Sequence, residues 1–273
     1  MADFRIPRLR RRVKRALVVT AGVGIAFTGF FFARSFSSSA KAVSEQIRTV
    51  QPVSELPMLA AAKQVPEKYN GQVRKIAYLT FDDGPNEYTE SLLNILKSNG
   101  VQATFFMIGA QISSHKDSIN RLVAEGNYPA LHSMTHNYQK LYNEGQIVNE
   151  MKQAQAILQE ATGIHSDLTR CPYGSMPGLT SALRDQMAAA GLKEWDWTID
   201  SLDWKLANNP NGIVQNVLTQ SSRNLEVILL HEKKQTVQVL PEVIAGLRSE
   251  GYEFEVYDPA AHFSVNFWHD NRL

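Results

Sequence analysis

Between Gln72 and Val256 one pattern repeats: a short apolar run, a turn, an amphipathic stretch often closed by glycine, and another apolar run. Ile76–Phe81 reads as a buried strand stopped by Gly84-Pro85, Leu92–Asn99 as a helix closed at Gly100, and Ala103–Ile108 as the next strand. The alternation continues with a helix over Ser118–Glu125, a strand over Tyr128–Leu131 and a helix over Gln146–Thr162. In that helix Ile147, Met151, Ala154, Ile157, Leu158 and Ala161 recur at helical spacing. Further on, the expected strands are Leu168–Arg170, Trp195–Ile199, Glu226–Leu230 and Tyr252–Val256, and the expected helices are Gly178–Ala190, Asn211–Ser221 and Gln235–Glu250. Short apolar strands separated by helices pair in parallel and need cover on both faces. The chain is therefore α/β, either a barrel or an open doubly wound sheet; the pattern does not separate the two.

In either architecture ligands gather at the C-terminal ends of the strands. Thr80-Phe81-Asp82-Asp83-Gly84-Pro85 puts two carboxylates at such an end, and His132-Ser133-Met134-Thr135-His136 follows the strand Tyr128–Leu131. Neighbours on a regular strand face opposite ways, but at a strand end the alternation can break, so both carboxylates can reach one centre. Two histidines four apart fall on one side of a helical turn. One aspartate and two histidines make a facial ligand set that leaves positions open for water and substrate. Alone, an Asp-Asp-Gly-Pro run is usually a turn, and a His-x-x-x-His pair is usually a solvated helix face.

Together and in this order they resemble the first two motifs of the NodB-like polysaccharide deacetylases, the family 4 carbohydrate esterases. Three more motifs follow in family order: Arg170-Cys171-Pro172-Tyr173, Asp200-Ser201-Leu202-Asp203-Trp204 and Leu229-Leu230-His231. The resemblance spans residues 70–260 and implies a distorted (β/α)7 barrel; the membrane-spanning or signal helix expected ahead of it is read from the N-terminal sequence. It implies that Asp83, His132 and His136 hold one divalent metal ion, Zn²⁺ first, with Co²⁺, Ni²⁺ or Mn²⁺ as alternatives. Asp82 becomes the general base, with a second metal ligand or a turn cap as its other readings. Arg170 pairs with that base. His231 becomes the general acid for the departing amine, held by Asp200, with Asp203 as the competing candidate. Tyr173 supplies an oxyanion donor through its N–H and a groove wall through its ring, and Trp204 and Leu229 line the acetyl pocket. Cys171 stands where the family more often carries a bulkier or cyclic residue, and Glu232 where an aspartate is common. His115, His165, His262 and His269 have no paired spacing and receive no chemistry.

The N-terminus reads differently. Ala16–Ala33 is eighteen residues without a charge, about 27 Å as a helix and close to the ~30 Å core of a bilayer. Eight basic residues against one acid lie in residues 1–34, which sets the N-terminus in the cytoplasm. A cleaved signal ending near Ala40-Lys41-Ala42 and an uncleaved anchor both fit, and the length favours the anchor. The division expected is a basic cytoplasmic segment (1–15), an anchor or signal core (16–33), a stalk (34–69) with a short helix around Met58–Lys63, a catalytic domain (70–260) and a tail (261–273) packed on it. Residues 35–273 carry a formal −6, which argues against nucleic-acid binding. Cys171 is the single cysteine, so no intrachain disulfide forms.

The expected activity is N-deacetylation of an N-acetylated amino-sugar polymer outside the cytoplasmic membrane, by an anchored or secreted monomer. Peptidoglycan is the first substrate expected, with chitin-like oligomers, poly-N-acetylglucosamine and O-acetylated xylan behind it. A tethered glycan-binding module without catalysis is the reading from another class. It would be expected to lack at least one of Asp82, Asp83, His132, His136 or His231, and none is missing.

Overall fold

Strand β3 (Lys75–Gly84) is the axis about which the chain is arranged. It is buried along nearly its whole length, which is why its sequence shows no polar–apolar alternation. The structure is a computed structural model and describes residues 68, 69 and 71–273. Within it, Lys68–Tyr69 (β1) and Gln72–Val73 (β2) form a small antiparallel pair ahead of β3. The expectations for residues 1–67, including the apolar segment 16–33, the stalk and its short helix, lie outside the described residues. Among the described residues no helix is long and apolar enough to cross a membrane.

One edge of β3 pairs in parallel with β9 (Leu225–His231) from Ile76 to Asp82. The other edge is shared: β10 (Tyr252–Glu255) takes Lys75–Tyr78, and β4 (Thr104–Met107) takes Thr80–Gly84, with a register shift between Asp82 and Gly84. Outward from β4 lie β5 (Tyr128–Leu131), β6 (Leu168–Thr169) and β7 (Lys193–Glu194), all parallel, and β8 (Ile199–Asp200) lies beyond β9. The expected strand Trp195–Ile199 is therefore replaced by two short ones. The run Lys193–Asp200 pairs with β6 at its start and with β9 at its end, leaving Asp196 and Trp197 unpaired between them. A segment that changes partner half-way curls the sheet back on itself, consistent with a distorted (β/α)7 barrel.

The two faces of the curled sheet divide the core. On one, Ala77, Leu79, Phe81, Phe105, Ile228 and Leu230 pack in a cluster with Leu92, Leu93 and Leu96 of helix Thr89–Asn99 and Leu240, Ile244 and Leu247 of helix Lys234–Ser249. On the other, Tyr78, Phe106, Tyr128, Leu168 and Val227 surround Trp195. Alternation along β3 sends Ala77, Leu79 and Phe81 to the first cluster and Tyr78 to the second. Residues of the C-terminal segment close the second: the Phe263 and Tyr257 rings lie 4.7 and 4.9 Å from that of Trp195. The tail stays against the body, with the Trp195 indole donating to Phe263 O at 2.8 Å and the Trp268 indole to Ser175 O at 3.0 Å.

Candidate metal centre and catalytic site

The side chain of Asp82, at the end of β3, sits beside His231 at the end of β9, because the two residues are register partners on adjacent strands. Asp83 follows with φ 69°, a left-handed conformation that turns its carboxylate toward the neighbouring strand end. His132 and His136 come from the loop after β5. The expected helical turn is absent there: Ser133 and His136 are both left-handed, with φ 63° and 51°, and the loop brings the two rings to 5.0 Å between centroids. Fixed acceptors hold it. The Ser133 hydroxyl accepts from His136 N–H at 3.1 Å, and buried Glu150 accepts from the N–H groups of Met134 and Thr135, each at 3.0 Å.

Asp83 Oδ1 lies 3.7 Å from His132 Nε2 and 3.5 Å from His136 Nε2, and one ligand atom from each residue falls within 4.8 Å of the others. The set fits a divalent cation. His132 Nδ1 donates to Arg170 O at 2.7 Å, which fixes the tautomer and leaves Nε2 bare toward the centre. Burial lowers the His132 pKa, against the pull of Asp82, and so favours the neutral ligand form. Asp83 Oδ1 is buried without a hydrogen-bond partner, the state a carboxylate oxygen reserved for a cation has. Burial pushes the Asp83 pKa up, but His132, His231, His136 and Lys233 outweigh it and the net direction is down.

Arg170 is fully buried and fixes Asp82. Its Nη1 donates to Asp82 Oδ1 at 2.9 Å and to Thr80 Oγ1 at 2.7 Å, while Nε and Nη2 are taken by Trp195 O and Asp196 O, each at 2.9 Å. The guanidinium also lies 4.0 Å over the Phe106 ring. Asp82 Oδ2 points into the site, 3.8 Å from His132 Nε2.

His231 is held by Asp203, not Asp200. Its Nδ1 donates to Asp203 Oδ1 at 2.7 Å and its backbone N–H to Oδ2 at 2.7 Å, and the Thr236 hydroxyl also donates to Oδ2 at 2.6 Å. Asp200 instead closes a turn, accepting from Leu202 N–H at 2.8 Å, with the Trp204 indole 3.5 Å from its Oδ2. It shapes the loop that carries both Asp203 and Trp204. Burial pushes the His231 pKa down, but the Asp203 hydrogen bond and charge, joined by Asp82 and Asp83, win and raise it.

Around this centre the rim is aromatic. Tyr173 is 57% and Trp204 53% exposed, unusual for large apolar surfaces without a ligand. The Tyr173 ring lies 4.6 Å from that of His136 and its hydroxyl donates to His136 O at 2.8 Å. Its φ is 68°, and its N–H meets no backbone acceptor among the described residues. Leu229 lies two residues before His231 on β9 and is buried. Three contributors lie outside the sequence motifs: Glu150, Tyr138, which is partly exposed beside Tyr142 and Tyr173, and Asp196, which accepts from Ser175 N–H at 2.8 Å. Glu150 sits among apolar residues at helical spacing, and an acid on a buried helix face was the one available signal.

The sequence model of the polysaccharide deacetylases matches residues 70–195. A peptidoglycan-N-acetylglucosamine deacetylase of Bacillus cereus is 47% identical over 268 residues, covering 96% of this chain and 98% of that protein. The chain belongs to the polysaccharide deacetylase family. Among solved structures, a Bacillus cereus polysaccharide deacetylase superposes with TM-score 0.72 at 51% identity, over 73% of this chain and all of that one. A family 4 carbohydrate esterase from Streptomyces lividans, in complex with acetate, superposes with TM-score 0.61 at 33% identity, over 70% of this chain and 98% of the other. The site is thus that of a deacetylase, a hydrolase in which Asp83, His132 and His136 meet as one possible metal centre.

Proposed function

We propose that this deacetylase removes the acetyl group from N-acetylglucosamine residues of peptidoglycan, working outside the cytoplasmic membrane behind the N-terminal segment 16–33. The carrying observation is the placement of Asp82 and His231 as side-by-side register partners with opposite anchors. Asp82 is locked by the Arg170 cation and His231 by the Asp203 anion. One group is thereby kept as a base and its neighbour as an acid, the pair of roles that amide hydrolysis needs.

Asp83, His132 and His136 would hold one divalent ion, with Zn²⁺ suiting the two imidazoles and single carboxylate. When bound, such an ion polarises a carbonyl and lowers the pKa of water to around 7. Asp82 Oδ2, the oxygen Arg170 leaves free, takes the proton of the attacking water. The Tyr173 N–H, uncommitted to any backbone acceptor, donates to the oxyanion. His231 Nε2 gives its proton to the sugar nitrogen as the C–N bond breaks, releasing acetate and a free amine. Leu229 and Trp204 enclose the acetyl methyl, and the Tyr173 ring flanks the sugar. The relative's name supports peptidoglycan over chitin oligomers or poly-N-acetylglucosamine.

A tethered glycan-binding module is the competing reading, and the intact set of Asp82, Asp83, His132, His136 and His231 speaks against it. Acetate release by the full chain from purified peptidoglycan and from chitin oligomers, with and without chelator, tests the proposal. Release from peptidoglycan that stops with chelator and returns with Zn²⁺ is expected. No release from any glycan by metal-loaded protein would favour the binding module, and release indifferent to chelator would remove the metal.

A further inference from the structure

A second cavity of about 470 Å³ lies outside the catalytic centre, between Arg223, the run Trp197–Thr198 and the C-terminal segment. Its size falls within the ~300–1,000 Å³ of small-molecule sites. Trp197 and Phe267 form one wall, ring centroids 5.0 Å apart and nearly perpendicular, and both are only partly buried. Arg223, His269 and Asn271 line the rest and are exposed. Arg223 is the one formally charged side chain in the lining. Its backbone is fixed, the N–H donating to Glu226 Oε1 at 2.8 Å and the carbonyl accepting from the Tyr252 hydroxyl at 2.7 Å. Glu226 does not compete as a free anion, because it is buried and its Oε2 is taken by the Thr198 hydroxyl.

An aromatic wall beside uncommitted amide and imidazole groups suits the apolar face and hydroxyls of a sugar ring. An exposed guanidinium with no carboxylate partner among the described residues adds a preference for a carboxylate. The wall is also coupled to the catalytic frame. Phe267 N–H donates to Asp196 Oδ2 at 2.7 Å, Asp196 Oδ1 accepts from Ser175 N–H at 2.8 Å, and the Trp197 ring lies 5.9 Å from the Arg170 guanidinium.

We propose that this groove is an accessory glycan site that binds a carboxylate-bearing stretch of an N-acetylated glycan while another part of the polymer occupies the catalytic centre. It rests on the peptidoglycan reading, since peptidoglycan carries such carboxylates and chitin does not. Binding energy here acts on the polymer and not on a short oligomer, because only a long chain can reach both sites.

The test uses full-length, metal-loaded protein in detergent and three probes: peptidoglycan stripped of attached polymers, chitin, and an N-acetylglucosamine tetramer. Arg223→Ala combined with Asn271→Ala should weaken retention on peptidoglycan about tenfold or more, the loss of one charged contact and one neutral one. Retention on chitin and acetate release from the tetramer should stay unchanged. Unchanged retention on peptidoglycan would overturn the site. An equal fall on chitin would overturn the carboxylate preference, and a parallel fall on the tetramer would place the effect in the catalytic centre. Arg223→Gln, which keeps part of the stem and an NH₂ donor but not the charge, should behave like the double variant if charge is read, and it guards against a folding defect. Retention and acetate release are read separately, so a protein held on peptidoglycan through Arg223 that releases no acetate would sink the proposed activity and leave the groove standing.

Discussion

Asp203→Asn isolates the acid half of the site. Three donors converge on the Asp203 carboxylate: His231 Nδ1–H and N–H, each at 2.7 Å, and the Thr236 hydroxyl at 2.6 Å. An asparagine offers one acceptor oxygen and an NH₂ that can only donate. The backbone N–H cannot change its role, whereas the imidazole can, so the amide oxygen settles toward His231 N–H and the NH₂ faces the ring. His231 must then accept at Nδ1 and hold its proton at Nε2 as a neutral imidazole, a far weaker acid. The buried charge-assisted hydrogen bond lost is worth about 1.5–3 kcal/mol, which converts to a fall in kcat of roughly ten- to a hundredfold. That is smaller than the ~10²–10⁴-fold expected when the acid itself is removed in His231→Ala. Acetate release would be followed on an N-acetylated oligomer and on an acetate ester with a good leaving group, with metal content measured in the same preparation. The amide should lose far more than the ester, which needs no protonation to depart. Equal losses on both with full metal occupancy, or a kcat unchanged on the amide, would refute the acid role of His231 and the positioning role of Asp203.

The upward shift of the His231 pKa means that the protonated acid persists above the ordinary histidine range, so the alkaline limb of kcat should lie there and move to lower pH in Asp203→Asn. By the same sign, the stabilisation from this pair is complete below the unfolded histidine value and is lost as pH rises through the folded one, which unfolding at several pH values would register. Asp83→Ala or His136→Ala should release the metal on dialysis, since two ligands hold a divalent ion poorly; full occupancy by elemental analysis would dismantle the ligand set. Gly84→Ala should destabilise the fold by about 1–3 kcal/mol in thermal or denaturant unfolding, because an added Cβ would stand 1.6 Å from Glu232 Oε1 in a packed interior. Protease added to cells stripped of their outer layers should digest residues 70–273 if segment 16–33 exports them, and protection would contradict that orientation.

What the sequence discloses and what it hides divide along one physical line. Strands were readable because burial on both faces leaves a continuous apolar run, as in Val227–Leu230, and the residues that follow such runs are at the site by topology. Tyr128–Leu131 and Leu225–His231 lead straight to His132 and His231 for that reason. Pairing partners are not encoded in such a run, so nothing in Lys193–Asp200 announces that it leaves β6 for β9 part-way along. Loop conformation is hidden too. The spacing of His132 and His136 suits a helix, yet two left-handed residues produce the same convergence by another route. Asp200 and Asp203 stand three apart in a loop, and which one meets His231 depends on Leu202 at φ 58°, a conformation its side chain does not signal.

Those backbone conformations follow a rule of their own. Of the six non-glycine residues with positive φ, Asp83, Ser133, His136, Tyr173 and Leu202 lie at the strand end and in the loops that build the site, and His269 lies in the C-terminal tail. Such residues cost on the order of 1–3 kcal/mol each and persist only where the surroundings over-determine them. Here a carboxylate that holds no metal and moves no proton stands at each loop. Glu232 lies over Gly84 beside Asp83 and accepts from the Thr89 hydroxyl. Glu150 gathers the N–H groups of Met134 and Thr135 between Ser133 and His136. Glu194 accepts from Cys171 N–H at 2.7 Å and Asp196 from Ser175 N–H at 2.8 Å, bracketing Tyr173. Asp200 accepts from Leu202 N–H at 2.8 Å. Four of these five acids are almost wholly buried; Glu150, Glu194 and Asp196 each take a backbone N–H of the loop they hold, while Glu232 reaches the Thr89 hydroxyl and keeps Oε1 without a partner. The acids around the site therefore fall into two sets: Asp82, Asp83 and Asp203 are the ones the proposed mechanism uses, while Glu150, Glu194, Asp196, Asp200 and Glu232 stand against the loops whose left-handed residues shape the site.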